Sequence, residues 1–188
     1  MSEITPFRLN VQASEIDILR YRLKNVRWPE SETVDDWSQG LPISYHRKFC
    51  EYWAQDYDWG STQARINSLE NYSIKLDGLN FHFIHVRSSC SKAKPLLITH
   101  GWPGSIIEFL KIMEPLAEPQ KHGGIVEDAC DLIFPTLPGF GFSDKPKTSG
   151  WGVDRIARAW DALMSELGYH EYFAQGGDWG AGVTTALG

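Results

Sequence analysis

Cysteine is scarce: Cys50, Cys90 and Cys130 are the only three in 188 residues. Their odd number and wide spacing exclude a disulfide framework and the short ligand spacings of a zinc site. They are read as small buried hydrophobes in a reducing compartment. Positive charge is also in short supply. Eighteen Lys and Arg against 24 Asp and Glu leave a net charge of −6, so there is no basic field for nucleic acid. No apolar run approaches the ~18 residues of a spanning helix, and "MSEITPFRLN" lacks the apolar centre of a signal peptide. A cytoplasmic chain with no membrane anchor is expected. Internal repeats are missing, and so is the G-x-S-x-G frame of a serine esterase.

Aromatic residues, by contrast, make up 13% of the chain and include eight Trp, a density that serves a core or an apolar pocket. The first third reads as helical. Ile16, Leu19, Leu23 and Val26 recur at helical spacing behind Ser14, a candidate cap, and that helix should stop before Trp28-Pro29. Ser44 is the candidate cap of a second helix bearing Tyr45, Phe49, Tyr52 and Trp53, and a third is expected over roughly 61–69.

The pattern then changes. Alternation around Asp77-Gly78 predicts a hairpin. "PLLITHG" is a short continuous apolar run suited to a parallel strand buried on both faces. Ser105 and Glu108 have capping-box spacing, ahead of a helix through Phe109, Leu110, Met113 and Leu116. "CDLIFPTLPGFGFSD" reads as a strand and a loop, "VDRIARAWDALMSELG" as an amphipathic helix stopped by Gly168, "YFAQGGD" as a strand and "AGVTTALG" as the start of a helix. Such alternation predicts a parallel α/β sheet at 69–188, preceded by a helical wrapping segment at 1–68.

The chemistry concentrates in "AQGGDWGAG", where Gly176-Gly177-Asp178-Trp179-Gly180 places a carboxylate at a sharp strand-to-helix turn. On the turn alone, a helix-capping aspartate and a nucleophile are equally good readings. As a nucleophile it needs no activating base, because its reference pKa is ~3.9. Attack on a strained sp3 carbon gives an ester that water can cleave at the aspartate's own carbonyl; a serine there would form a dead ether. The resulting oxyanion needs backbone donors. The N–H of Trp179 is one candidate and that of Trp102, in "HGWPGS" after the expected strand, is the other.

H-G-W-P-G-S, "PTLPGFGFSD" and Q-G-G-D-W-G, in that order, resemble the microsomal-type epoxide hydrolases of the α/β-hydrolase fold. "TPFRLNV", "RWPE" and "YDWGSTQARINSL" look like the N-terminal domain that precedes that fold. The resemblance implies the N-terminal part of an α/β-hydrolase-type, mostly parallel sheet. It implies Asp178 as nucleophile, an oxyanion hole from the N–H groups of Trp102 and Trp179, and loops shaped by His100, Gly101, Pro103, Gly104, Gly176, Gly177 and Gly180. The implied reaction adds water to a small apolar epoxide to give a vicinal diol, with no cofactor and no metal.

In that family the order runs nucleophile, lid, acid, histidine, and this sequence ends ten residues after Asp178. The lid tyrosines, acid and histidine are expected beyond Gly188; none of His46, His82, His85, His100, His122 and His170 matches the family histidine. His100 is read as a hydrogen-bonded structural residue. A truncated, inactive chain is therefore expected, its last strand bare and prone to homo-oligomerise. The rival enzyme reading is a haloalkane dehalogenase, which also resembles this layout; the rival of another class is a non-catalytic fragment or interaction module.

Overall fold

Asp77 and Gly78 both adopt positive φ, 46° and 84°, the requirement of a two-residue hairpin turn whose twist matches its strands. They join β2 (Asn71–Leu76) to β3 (Leu79–Val86), as the alternation predicts. The computed structural model describes residues 3–188. The chain divides into two compact units, Leu9–Asn67 and a second made of Ser68–Gly188 with the segment up to Arg8.

In the smaller unit the expected helices form, with shifted starts. They are α1 (Ala13–Lys24), α2 (Ile43–Gln55) and α3 (Trp59–Asn67). Ile16, Leu19 and Leu23 form the half-buried stripe of α1, and Val26, also half-buried, lies just past its end at Lys24. Neither Ser14 nor Ser44 is a cap; both lie inside their helices, behind Gln12 and Pro42. For α2 the reason is visible: Glu32 Oε2 already accepts the Ile43 N–H at 3.0 Å, satisfying an amide left open at the helix start. The third helix begins two residues early, where Asp58 accepts from the Gly60 N–H at 2.8 Å and from the Ser61 hydroxyl. The Asn67 side chain accepts from Leu9 N–H and donates to Leu9 C=O, both at 2.8 Å, tying the ends of the unit together.

The larger unit is built on a six-stranded sheet of order β1-β2-β3-β5-β4-β6. The parallel part is β5 (Cys130–Pro135), β4 (Lys94–Thr99) and β6 (Phe173–Gly176). The hairpin pairs antiparallel to β5 through β3. An additional short strand, β1 (Ile4–Pro6), pairs antiparallel with β2. Nothing in the periodicity signals it, since its partner lies about seventy residues away and a three-residue strand carries no alternation to read.

Alternation distributes side chains to the two faces of the sheet. Phe81, Phe83, Leu97 and Ile133 form one buried cluster with Ile156, Trp160, Leu163 and Met164 of α5 (Val153–Glu166) and Val183 of α6 (Trp179–Leu187). Trp160 is fully buried, edge-on to Phe81 at 5.1 Å. Truncating it to Ala should cost about 3–5 kcal/mol. Gly168, at φ 87°, ends α5 as expected, with the Tyr169 N–H returning to Met164 C=O at 2.9 Å.

The helix expected after Ser105 is broken. The capping box is present, Ser105 N–H donating to Glu108 Oε1 at 3.0 Å, but it opens only a 3-10 turn, Ile106–Phe109. The helix restarts as α4 (Met113–Ala117). Pro115 explains the break: it has no N–H to give an earlier turn, so the helix begins again with Pro115 in its first turn. The three cysteines are half-buried rather than buried, and unpaired. Among the described residues no helix is long and apolar enough to cross a membrane.

Candidate active site

The chain passes from β4 to β5 on one side, then crosses back over β4 to β6 on the other. The carboxyl ends of β4 and β6 therefore lie where the strand order reverses, the place where open α/β sheets leave a crevice. Two loops meet there, residues 100–105 after β4 and residues 177–178 after β6.

Asp178 stands at the turn between β6 and α6 with φ 53° and ψ −122°. This is costly for a residue with a Cβ, on the order of 1–3 kcal/mol, and persists only where neighbours fix it. The neighbours are backbone. A Cβ on Gly180 would fall 2.1 Å from Thr99 O, and one on Gly176 would fall 2.3 Å from Gly180 C. Helix α6 thus starts directly against the end of β4, and the chain has to turn sharply to get there. Gly177 differs: a Cβ there would meet nothing within 4 Å.

The Asp178 carboxylate faces the other loop. Its Oδ1 accepts the backbone N–H of Trp102 at 2.8 Å. That bond, with the nearby Trp179 N–H as a lesser influence, holds its pKa below the ordinary carboxylate value. The side chain makes no capping bond to α6, which removes the capping reading. Gly101 permits the approach, since a Cβ there would come within 2.6 Å of Asp178 Cβ. Pro103 follows Trp102 through a cis peptide bond, and Gly104 N–H closes the loop onto Gly101 O at 2.9 Å.

Trp102 and Trp179 contribute backbone here, and their side chains are not core: they are 64% and 59% exposed. Both border an apolar groove of about 350 Å³, whose walls include Leu137, Phe140, Trp151 and Val183. The loop "LPGFGF" supplies Leu137, Pro138 and Phe140. No motif announces Trp151 and Val183, because only packing brings the segment leading into α5 and the body of α6 to this crevice.

His100 is fully buried. Its Nδ1 lies 2.9 Å from Gly101 O and its Nε2 accepts the Leu137 N–H at 3.1 Å. Burial lowers its pKa. Both ring nitrogens are engaged in hydrogen bonds. Ser143, to which the sequence assigns no chemistry, links strands: its Oγ accepts the His82 N–H at 3.1 Å and donates to Thr136 O at 2.8 Å.

Known proteins share this fold. Residues 94–188 match the alpha/beta hydrolase fold family, the class that the sheet and its aspartate turn define. Residues 4–109 match the family described as epoxide hydrolase N terminus, and the chain belongs to the microsomal-type epoxide hydrolase family. A putative epoxide hydrolase of Stigmatella aurantiaca is 55% identical over 184 residues, covering 98% of this chain and 42% of the relative. Epoxide hydrolase 1 of Oryctolagus cuniculus is 37% identical, covering 98% and 41%. The juvenile hormone epoxide hydrolase of the silkworm Bombyx mori superposes with a TM-score of 0.87 at 30% identity, over all of this chain and 44% of that one. The Aspergillus niger epoxide hydrolase gives 0.83 at 29%, over 97% and 48%. The chain thus spans about four tenths of the length of the curated relatives it matches.

Proposed function

We propose that these residues carry the nucleophile and oxyanion hole of an epoxide hydrolase acting on small apolar epoxides. The observation that carries this reading is the bond from Trp102 N–H to Asp178 Oδ1. It fixes one carboxylate oxygen and orients the other. With Oδ2 attacking an epoxide carbon, the ring C–O bond breaks, an alkyl ester forms on Asp178, and the ring oxygen, released as an alkoxide, takes up a proton that balances the one later lost by the attacking water. Water then attacks the ester carbon, and Oδ1 becomes the oxyanion, still facing Trp102 and Trp179. Collapse releases the diol and restores the carboxylate.

Two further observations support the reading. The lowered pKa of Asp178 keeps it anionic at neutral pH, and the groove beside it is apolar. The relatives named above favour an epoxide over a haloalkane as substrate. His82, His85 and His100 are each committed to a buried hydrogen bond elsewhere, so the group that activates water is not one of these.

The test is a single turnover in 18O-water by an active form containing these residues. The diol should be unlabelled and the label should sit in Asp178. Labelled diol with unlabelled protein would mean direct attack by water and would sink the proposal.

A further inference from the structure

We propose that His100 is a positioning residue: it locks the Gly101–Trp102 peptide so that its N–H faces Asp178. The proposal rests on the reading of Asp178 and Trp102 given above. It adds a residue that touches neither substrate nor reacting atoms.

The loop holds two opposing requirements. Position 101 must be glycine, because any Cβ would strike Asp178. Glycine also makes the neighbouring peptide the easiest in the loop to rotate. A rotated Gly101–Trp102 peptide would turn a carbonyl, rather than an N–H, toward the carboxylate.

A peptide unit is planar, with its C=O and N–H pointing in opposite directions. Pinning the oxygen therefore aims the hydrogen. Gly101 O is pinned twice, by Gly104 N–H at 2.9 Å and by His100 Nδ1 at 2.9 Å. The opposite end of that same peptide is the Trp102 N–H held on Asp178 Oδ1 at 2.8 Å.

The imidazole cannot rotate out of this role. A backbone N–H only donates and a backbone carbonyl only accepts. Leu137 N–H, at 3.1 Å, therefore requires an unprotonated Nε2, and Gly101 O requires Nδ1–H. The two neighbours select one neutral tautomer in a fully buried ring. Leu137 also walls the apolar groove, so one ring spaces the substrate wall from the oxyanion donor.

Two substitutions separate the contacts. In His100→Asn the side-chain amide reaches the Nδ1 position and can still donate to Gly101 O. In His100→Gln the amide reaches the Nε2 position and serves Leu137 alone. The readouts on the chain are the exchange rate of the Trp102 amide proton and the titration of the Asp178 carboxyl followed by 13C NMR. His100→Gln should speed Trp102 exchange roughly three- to tenfold, the loss of about one hydrogen bond, and move the Asp178 titration up toward the ordinary value. His100→Asn should leave both near wild type. Equal behaviour of the two variants would overturn the proposal. Should either fail to fold, the 15N shifts of His100 in the wild-type chain decide: Nδ1–H supports the clamp and Nε2–H overturns it. Ester formation at Asp178 with a titration unmoved by either variant would overturn the clamp alone. The expected titration shifts without any ester would support the clamp and remove the reaction.

Discussion

The backbone N–H of Trp102 and Oδ1 of Asp178 are 2.8 Å apart although 76 residues separate them in sequence. The carboxylate is therefore oriented by the loop after a neighbouring strand, not by the helix it precedes. Strands β4 and β6 pair in parallel, and their carboxyl ends deliver both loops to one point. The bond is a product of the sheet's order, and the sheet's order depends on glycines small enough to let backbone meet backbone.

The positive φ of Asp178 makes stability and chemistry oppose each other at one residue. Asp178→Gly should be more stable than Asp178→Ala by up to about 2 kcal/mol, since glycine relieves a strain of ~1–3 kcal/mol and loses about 1 in chain entropy. Both should lose ester formation. Urea midpoints of the two variants check this, and an Ala variant at or above the Gly variant would contradict it.

Gly177 and Gly180 should respond in opposite ways. Gly180→Ala drives a Cβ toward Thr99 O and should cost about 1–3 kcal/mol or more. Gly177→Ala meets open space and should be neutral, or gain up to ~1 kcal/mol by restricting the unfolded chain. Equal losses in denaturant unfolding would count against the close packing described for the turn.

Acid should destabilise the larger unit over a defined range. Burial pushes the pKa of His82 and His85 down to about 4, with Arg87 assisting at His85. In the unfolded chain each is ~6.5. Between those values the unfolded chain binds protons that the fold does not, so stability is full above about 6.5 and falls toward 4. The loss is on the order of 3 kcal/mol for each imidazole. Unfolding free energies at pH 7.5 and 4.5 test it; a flat profile would show these rings to be solvated.

Strand β6 forms an edge of the sheet among the described residues, and Phe173 on it is 62% exposed. An apolar edge invites pairing with another chain. The 188-residue protein should self-associate with rising concentration, and Phe173→Lys should shift it toward monomer in light scattering. A monomeric wild type at high concentration would remove this expectation.

How much of this was legible depends on how local the cause is. Asp77-Gly78 and Gly168 declare their turns in one or two residues, and "PLLIT" declares a strand by its length. The aspartate turn and the loop His100–Ser105 were legible as motifs, because the chemistry demands particular residues close together. The cap positions were not: Ser14 and Ser44 have the right chemistry, but Glu32 serves α2 from eleven residues upstream. Pro115 was in plain view, yet its effect on the helix after Ser105 depends on which turn it occupies. Trp151 and Val183 reach the groove only through the packing of α5 and α6 on the sheet, which no short window encodes.

The contact between Gly180 and β4 also determines which mutations could be undone. A methyl group at 180 meets Thr99 O and His100 O first, and these are atoms that every residue type possesses. No substitution at 99 or 100 makes room, so a suppressor screen on Gly180→Ala should return glycine revertants rather than compensating changes in the strand. Gly104 is the opposite case, since its Cβ would first meet the Glu108 side chain, which a second mutation can shorten. Two glycines at the meeting of the same two loops thus differ in whether evolution could ever replace them.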